Sequence, residues 1–351
     1  MRDPQTILIA LPNWVGDVVM ATPALAAIRA RFPRAAITGL IRQGIRGLIE
    51  SCPWVDDWEV WPAKNARGRQ GGTFQVAFRL RRRRMEWALL MTNSFRSALV
   101  ARLAGIPRRI GYDRDGRGWL LTDRIPVQRD AAGRIARTRM VNYYGELAVA
   151  LGCDRPGDRL MLHTRPEDDA VIAARLKAAG LAGHRPIVVM TPGASFGPAK
   201  CWPADRFAAV CDRLVDECGA RVVLTYGPGE ESVARRAIEA MRHRPLVMED
   251  PAITLSQLKS LIRLSDLLLC NDTGPRHLAK AFDVPVVTVF GPTWPQWTDT
   301  DYRLEQIVRI DVDCGPCQKP VCPLGHVKCM TEVGVEAVFD ACRELLARRP
   351  A

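Results

Sequence analysis

Short apolar runs that do not alternate with polar residues recur along both halves of the chain. They cover residues 7–11, 37–41, 87–91, 186–190, 221–226, 266–270 and 286–290. Strands have this composition when helices cover both faces of their sheet. A helical pattern runs from Asp17 to about Phe32, after the first run and a short loop. Strand, loop and helix in this order begin a βαβ unit, so the pattern predicts α/β domains with parallel sheets.

The length of 351 residues favours two domains, at roughly 150 residues each. The polar stretch from His163 to Asp169 is the candidate linker between them. We therefore predict a doubly wound, Rossmann-like domain over 1–168 and a second one over 169–332. Residues 335–348 have the pattern of an amphipathic helix, which closes the chain within the segment 333–351.

Ligands of open parallel sheets bind outside the carboxyl ends of the strands, so the loops that follow the apolar runs are candidate sites. Residues 12–17 follow the first run and end in Asp17, which suits either the N-cap of a helix or a general base. Residues 192–203 contain Lys200, which is either an exposed turn residue or a hydrogen-bond donor to phosphate.

Two further loops carry polar residues at the same kind of position. Residues 271–277 run from the end of a strand into a predicted helix that begins near Gly274. The first amide groups of this helix suit a phosphate, with Thr273 as an extra hydroxyl donor. His277 lies about one turn into that helix. It is either a structural residue or part of the anion site. Glu230 and Glu231 follow the run 221–226. They either accept hydrogen bonds from ribose hydroxyls or are acidic residues at the start of a helix.

Positive charge is concentrated in the first half of the chain. The formal net charge is +12, and residues 79–139 contain sixteen arginines against five acidic residues. This excess indicates either an arginine-biased solvated surface or an anionic partner, such as nucleic acid, a membrane surface or a phosphorylated substrate.

The apolar runs and the cysteines favour a cytoplasmic location. No apolar stretch reaches about 20 residues, so no membrane-spanning helix is predicted. The first run stops at Pro12 and is too short for a signal peptide. Eleven cysteines, mostly scattered through apolar segments, suit a reducing compartment better than a disulfide framework.

Four of the cysteines, Cys314, Cys317, Cys322 and Cys329, form a short cluster with His326 nearby. The spacing C-x2-C-x4-C-x6-C differs from that of a standard zinc finger. Three alternatives remain open: a structural zinc or other metal, free thiols, or one or two disulfides. A metal here is expected to brace the loop before the last helix and to take no part in catalysis.

Several motifs in order over residues 7–293 resemble glycosyltransferase family 9, the lipopolysaccharide heptosyltransferases. The motifs are Pro-Asn-Trp-Val-Gly-Asp (12–17), Asn-Ser-Phe-Arg-Ser-Ala-Leu (93–99), Ala-Gly-Ile-Pro-Arg-Arg-Ile-Gly-Tyr (104–112), the loop 193–203, Tyr-Gly-Pro (226–228) and Asn-Asp-Thr-Gly-Pro-Arg-His (271–277). The resemblance implies a GT-B fold, in which two Rossmann-like domains face each other across a cleft. It also implies an N-terminal domain for the acceptor, a C-terminal domain for the nucleotide sugar, and a final helix packed back on the N-terminal domain.

The resemblance also implies roles for individual residues. Asp17 matches the catalytic aspartate, and Lys200 matches the lysine that contacts the donor phosphates. The other expected donor-binding residues are Asp272, Thr273, Gly274, His277 and Glu230, with Glu231 as the alternative for the ribose. Asn13, Trp14, Asn93 and Arg96 are the expected acceptor-binding residues. Pro275, Arg276 and Lys280 depart from the family's pattern, and their extra positive charge suits a diphosphate.

A member of this family is expected to transfer heptose from ADP-heptose with inversion, in one displacement at the anomeric carbon. The expected acceptor is heptosyl-Kdo2-lipid A, at the inner leaflet of the membrane, to which the enzyme binds peripherally. Catalysis is expected to need no cofactor, since lysine and a helix end can neutralise the diphosphate.

Three alternatives are weighed against this hypothesis. The first is another heptosyltransferase of the family, acting at a different step. The second is a basic nucleic-acid-binding protein with a zinc ribbon, which is disfavoured because the cysteines lie far from the basic residues and no nucleic-acid motif is present. The third is a Rossmann dehydrogenase, which is disfavoured because residues 12–17 lack the G-x-G-x-x-G fingerprint.

Overall fold

The computed structural model describes residues 2–62, 72–131 and 133–348. The chain divides into two compact units. The first unit comprises Met1–Leu162 and Gln296–Thr300, and the second comprises His163–Pro295 and Asp301–Ala351. Among the residues that the structure describes, no helix is both long and apolar enough to cross a membrane.

The first unit contains a parallel six-stranded sheet in the order β3-β2-β1-β4-β5-β6. Its strands are β1 (Thr6–Ala10), β2 (Ala36–Arg42), β3 (Asp57–Trp61), β4 (Trp87–Leu90), β5 (Arg108–Tyr112) and β6 (Asp123–Ile125). Its helices are α1 (Val15–Met20), α2 (Thr22–Arg31), α3 (Gln43–Ile49), α4 (Thr73–Arg82), α5 (Phe95–Leu103) and α6 (Met140–Ala150). The chain order of the strands reverses between β1 and β4, which pair directly. A reversal of this kind opens a crevice at the carboxyl ends of the two strands.

The second unit repeats this architecture in the order β12-β11-β10-β7-β8-β9. Its strands are β7 (Ile187–Thr191), β8 (Arg221–Leu224), β9 (Leu246–Val247), β10 (Leu267–Asn271), β11 (Val286–Val289) and β12 (Glu305–Val308). Its helices are α7 (Pro166–Ala178), α8 (Ala204–Cys218), α9 (Glu231–Ala240), α10 (Leu255–Arg263), α11 (Gly274–Ala281), α12 (Lys328–Thr331) and α13 (Val335–Ala347). Here the strand order reverses between β7 and β10. The predicted pair of doubly wound, Rossmann-like domains is confirmed.

The strands that the sequence predicts are apolar throughout because helices cover both faces of each sheet. All five residues of β7 and of β10 are buried. One core of the second unit lies between these strands and α8, where Trp202 and Phe207 meet edge to face with ring centroids 5.0 Å apart. Trp202 also donates a hydrogen bond through Nε1 to the carbonyl oxygen of Val333, 3.1 Å away, which ties the chain before α13 to this core.

The prediction for the closing helix is wrong in its packing partner. Helix α13 belongs to the second unit, where it packs against α8 and against β10, β11 and β12. Its buried residues, Val338, Phe339, Cys342 and Leu345, recur at helical spacing and join the core of the second unit. The amphipathic pattern predicted the helix and its buried face, but a pattern of this kind does not specify which surface the face covers.

The predicted linker, 163–169, lies in the second unit, so that unit begins at His163 instead of at residue 169. Lys259 on α10 donates a hydrogen bond of 2.8 Å to the carbonyl oxygen of His163, and Ser256 donates one of 2.6 Å to Asp168 Oδ2. These two hydrogen bonds attach the segment to α10. The short segment Gln296–Thr300 returns to the first unit, which the sequence did not predict.

Candidate functional site

Asp17 lies in the first turn of α1, just beyond the carboxyl end of β1. The N-cap of this helix is Trp14, so the alternative that Asp17 is the N-cap residue is wrong. Asp17 is half-buried, and its Oδ1 accepts a hydrogen bond of 3.0 Å from the hydroxyl of Tyr144. The carboxylate is therefore held at the reversal point of the first sheet by a side chain of α6.

Tyr144 is buried, and burial together with the nearby Asp17 raises the pKa of its phenol well above the usual value. The phenol therefore stays protonated and remains a hydrogen-bond donor to the carboxylate. The neighbouring Tyr143 stacks on Tyr112, with ring centroids 4.0 Å apart, and donates a hydrogen bond of 2.8 Å to Asn93 Oδ1. Two adjacent tyrosines of α6 thus hold the predicted base and the predicted acceptor residue Asn93.

Asn93 follows β4, which pairs with β1. Its Oδ1 also accepts a hydrogen bond of 3.4 Å from Arg117, whose Nε donates to the carbonyl oxygen of Tyr112 at 3.1 Å. Arg117 is fully buried, and burial lowers its pKa to about 10, so its guanidinium is still charged at neutral pH. No pattern in the sequence indicated that Arg117, Tyr143 or Tyr144 lies at this site.

The other predicted acceptor residues lie on the same edge of the first sheet. Arg96, at the start of α5, stacks over the ring of Trp61 at 4.3 Å and donates a hydrogen bond of 3.0 Å to Thr73 Oγ1. Burial lowers the pKa of Arg96. Asn13 is half-buried in the loop before α1, and the side chain of Trp14 is exposed.

The predicted donor-binding loops of the second unit follow β7 and β10, at the reversal point of the second sheet. Asn271 joins them: its Oδ1 accepts a 3.0 Å hydrogen bond from the amide of Trp202, and its Nδ2 donates one of 2.8 Å to the carbonyl oxygen of Pro192. Lys200 Nζ donates to Asp272 twice, to Oδ2 at 2.5 Å and to the carbonyl oxygen at 3.1 Å. The lysine also lies 4.9 Å from the centre of the Phe196 ring. The structure thus brings Lys200 and Asp272 together.

Asp272 is buried and accepts further hydrogen bonds from Thr293 at 2.6 Å and from Arg276 at 3.4 Å. Burial raises its pKa, but the charges of Lys200 and Arg276 outweigh burial and hold the pKa below the usual value. The carboxylate is therefore ionised and engaged with protein groups. It connects Lys200 to Thr293 through these hydrogen bonds.

Arg276 and Lys280 are buried on α11 and share one carboxylate, that of Glu305 on β12. Lys280 Nζ lies 2.6 Å from Glu305 Oε2, and Arg276 Nη2 lies 3.0 Å from the same oxygen. The expectation that these two cations act on a diphosphate is therefore corrected, because both side chains are buried and engaged with Glu305 inside the second unit and do not reach a ligand directly.

The N-terminus of α11 provides backbone donors beside Lys200. Thr273 is its N-cap and makes no side-chain capping hydrogen bond, and Gly274 and Pro275 open the helix. All three are half-buried. Pro275 has no amide hydrogen, and the amide of Arg276 donates to the carbonyl oxygen of Thr273 at 3.2 Å. The amides of Thr273 and Gly274, at the positive end of the helix dipole, are therefore the backbone donors that suit an anion.

His277 is buried beneath this helix end. Burial lowers its pKa well below the usual value, and the charges of Arg276, Lys280 and Lys200 lower it further, so the imidazole is neutral. Its Nδ1 is buried and has no hydrogen-bond partner in the part of the chain that the structure describes.

The two glutamates of the ribose prediction occupy different positions. Glu230 is half-buried, and its Oε2 accepts a hydrogen bond of 2.9 Å from the amide of Gly227. It packs so closely on Gly193 that a Cβ added there would lie 2.2 Å from Oε2. Glu231 is exposed and accepts a local hydrogen bond of 3.0 Å from the amide of Gly229. Glu230 is therefore the one beside the loop that leads to Lys200.

The four clustered cysteines line one small cavity together with His326. Cys314 is exposed and the other three, Cys317, Cys322 and Cys329, are half-buried. Cys314 Sγ lies 3.8 Å from His326 Nε2. Within residues 2–62, 72–131 and 133–348, no group of three or more His, Cys, Asp or Glu side chains is already arranged to hold a metal ion.

Comparison with known proteins identifies the family. The sequence profile of glycosyltransferase family 9 (heptosyltransferase) matches residues 73–328. Lipopolysaccharide heptosyltransferase 2 of Escherichia coli K12 is 27% identical over 98% of this chain and 99% of its own length. Its counterpart in Salmonella typhimurium is 26% identical over 97% and 98%.

Two solved structures share the fold over nearly the whole chain. E. coli ADP-heptose lipopolysaccharide heptosyltransferase II superposes with a TM-score of 0.79 at 26% identity, covering 98% of this chain and 99% of that one. A family 9 glycosyltransferase from Veillonella parvula superposes with a TM-score of 0.83 at 22% identity, covering 98% of both chains. The chain therefore belongs to glycosyltransferase family 9, the heptosyltransferases, and has their GT-B fold.

Proposed function

We propose that the chain is a heptosyltransferase II, which transfers L-glycero-D-manno-heptose from ADP-heptose to heptosyl-Kdo2-lipid A during lipopolysaccharide biosynthesis. The observation that carries the proposal is the Lys200–Asp272 pair beside the open N-terminus of α11. A lysine and a helix end at the carboxyl edge of a parallel sheet are suited to a diphosphate. The relatives of similar length that are named heptosyltransferase 2 support the same choice of substrates.

In the proposed reaction, Asp17 accepts the proton of the acceptor hydroxyl while that oxygen attacks the anomeric carbon of the heptose. The bond from this carbon to the diphosphate breaks as the new bond forms, so the configuration inverts and ADP leaves. The hydrogen bond from Tyr144 fixes the orientation of the Asp17 carboxylate, and a base that is already oriented loses little entropy in the reaction.

Charge on the leaving diphosphate grows as the bond to the sugar breaks. Lys200 and the amides around Thr273 and Gly274 are placed to stabilise this charge. Because these groups supply positive charge, we propose that catalysis needs no cofactor. Lys200 exchanges Asp272 for a phosphate oxygen when the donor binds, and Glu230 accepts hydrogen bonds from the ribose hydroxyls.

The acceptor is anionic, and the first unit is rich in arginine. Asn13, Trp14, Asn93 and Arg96 are proposed to contact it, since they share an edge of the first sheet with Asp17. Lipid A carries phosphates and Kdo carries a carboxylate, which suit a guanidinium. No nucleic-acid partner is proposed.

We also propose that the enzyme acts in the cytoplasm, on the inner leaflet of the inner membrane. In α4, Phe74 and Phe78 are exposed by 77% and 61%, although they are one helical turn apart on the same face. Arg82 lies 5.3 Å from the centre of the Phe78 ring, and Arg81 and Arg84 are exposed nearby. Aromatic rings beside arginines are suited to the boundary of an anionic bilayer.

For the cysteine cluster we propose one structural zinc ion, held by Cys314, Cys317, Cys322 and Cys329. The support is that four thiols from a short segment line one cavity, which gives the ligand number of a structural zinc site. The thiols would have to move closer together to hold the ion, and binding would then contribute to stability.

The full chain, incubated with ADP-heptose and heptosyl-Kdo2-lipid A, is expected to increase the acceptor mass by one heptose in mass spectrometry. Transfer only to Kdo2-lipid A, or only to a longer core, would assign the chain to heptosyltransferase I or III instead.

Asp17→Asn is expected to slow the transfer by roughly 100-fold or more, the scale of general base catalysis, with ADP affinity unchanged. The control is Asp154→Asn, at an exposed aspartate of the same unit. A rate near wild type for Asp17→Asn would contradict the assigned base.

Lys200→Ala is expected to weaken ADP binding by about 1.5–3 kcal/mol, the scale of a hydrogen bond to a charged group. AMP lacks the second phosphate and should lose less affinity. Calorimetry with both nucleotides measures this, and a thermal melt shows whether the buried Asp272 tolerates the loss of its partner. Lys177→Ala removes the same charge from an exposed helix position in the same unit and should change neither affinity. Equal losses for AMP and ADP would mean that Lys200 does not bind the diphosphate.

The double variant Phe74→Ser and Phe78→Ser is expected to bind anionic phosphatidylglycerol vesicles at least tenfold more weakly, since burying each phenyl ring contributes about 1.5–3 kcal/mol. Vesicle sedimentation measures the binding. Transfer to a soluble, detergent-dispersed acceptor should be unchanged. Val171→Ser alters an exposed apolar residue of the second unit and is the control. Unchanged vesicle binding by the double variant would contradict the proposed membrane face.

Metal analysis of protein purified without chelators is expected to give close to one zinc per chain. Cys317→Ser should lower both the zinc content and the melting temperature, because the ion loses a ligand. Cys218→Ser changes a half-buried cysteine of α8 and should leave the zinc content unchanged. Four titratable thiols in a metal-free protein would contradict the zinc proposal.

A further inference from the structure

Residues 314–329, here called the cysteine loop, make backbone contacts with the loops that carry the Lys200–Asp272 pair. The amide of Ala199, next to Lys200, donates a hydrogen bond of 3.0 Å to the carbonyl oxygen of Pro320 in the cysteine loop. The amide of Gln318 donates one of 2.8 Å to the carbonyl oxygen of Pro292. The cysteine loop is therefore attached to two separate loops of the donor site.

The first junction depends on a glycine. Gly197 precedes the 3-10 turn Pro198–Lys200 and has a φ of +149°. A Cβ at this position would lie 2.4 Å from the carbonyl oxygen of Pro320 and 2.8 Å from its Cβ. These distances are too short for non-bonded atoms, so only glycine lets the two backbones approach this closely. The turn that ends in Lys200 is thus fitted directly against Pro320.

The second junction leads to the other member of the pair. Pro292 precedes Thr293, whose hydroxyl donates the 2.6 Å hydrogen bond to Asp272 Oδ2. On the other side of Pro292, Gly291 packs against the end of the cysteine loop, where an added Cβ would lie 3.3 Å from Cys329 Sγ. Lys200 is one residue from a contact with the cysteine loop, through Ala199. Asp272 is one hydrogen bond and one residue from another, through Thr293 and Pro292.

We propose that the cysteine loop is the positioning element of the donor-phosphate site, acting through Pro320 on the Lys200 turn and through Gln318 on the Pro292–Thr293 segment. We propose no contact between the cysteine loop and the substrate. It fixes where the ammonium group of Lys200 lies relative to the N-terminus of α11. The inference rests on the proposed function, because it requires Lys200 to bind the donor diphosphate.

Loosening the junction would leave the charge of Lys200 in place but lower the fraction of molecules in which the lysine is correctly placed. Apparent affinity falls in proportion to that fraction. The loss should be larger for ADP than for AMP, because only ADP carries the second phosphate. A general loss of stability would weaken the binding of both nucleotides alike. The difference between the loss of ADP affinity and the loss of AMP affinity therefore reports on the position of Lys200.

The experiment compares Gly197→Ala with Gly180→Ala by calorimetry with ADP and AMP. Gly180 has a φ of +72° and no heavy atom within 4 Å of an added Cβ, so its replacement strains the backbone without separating two loops. We expect Gly197→Ala to weaken the binding of ADP by about tenfold and the binding of AMP by less. Gly180→Ala should leave the affinity for both nucleotides unchanged. Pro320→Gly, at an exposed position, is expected to shift the ADP affinity in the same direction by a smaller factor.

Unchanged ADP affinity in folded Gly197→Ala, or equal losses for ADP and AMP, would overturn the proposal. If Gly197→Ala does not fold, Pro320→Gly decides, and an unchanged ADP affinity in that variant overturns it. Lys200→Ala separates this failure from that of the proposed function. If Lys200→Ala weakens the binding of ADP, and Gly197→Ala and Pro320→Gly do not, only the positioning role of the cysteine loop is contradicted. If Lys200→Ala has no effect, the donor site itself is wrong.

Discussion

Lys200 and Asp272 form a largely buried ion pair at the point where the strand order of the second sheet reverses, with side-chain exposures of 12% and 7%. Two buried charges are stable only when each is paired and hydrogen-bonded, and Asp272 meets this condition through Thr293 and Arg276. Arg276 in turn pairs with Glu305. One carboxylate therefore sets the positions of the loops after β7, β10 and β11. The slightly more exposed lysine is the member that can turn to a ligand, because Asp272 keeps two other partners.

The fold could be predicted wherever strands are buried on both faces, and much less at the edges of the sheets. The strands that lack an apolar run include all four edge strands, β3, β6, β9 and β12. An edge strand has a neighbour on one side only and can carry polar residues, as β3 does in the sequence Asp-Trp-Glu-Val-Trp. The packing of α13 could not be predicted for a related reason: its apolar face is visible in the sequence, but the surface that the face covers is not.

The candidate site could be predicted where residues directly follow an apolar strand, as Asp17, Lys200 and Thr273 do. Parallel sheets bring such positions to one edge, so the sequence order itself implies the site. The residues that hold the site could not be predicted, because their partners are distant in sequence. Tyr144 lies 127 positions from Asp17, and no local pattern distinguishes a buried phenol that donates to a carboxylate from one that only packs.

A crystal structure of the chain with ADP would show whether Lys200 and the N-terminus of α11 bind the diphosphate. We expect the diphosphate to lie at the N-terminus of α11, with Lys200 Nζ about 3 Å from a phosphate oxygen and turned away from Asp272. Asp272 should keep its hydrogen bond from Thr293, since that contact does not involve the ligand. A diphosphate bound away from both Lys200 and the amides of Thr273 and Gly274 would contradict the proposed donor site.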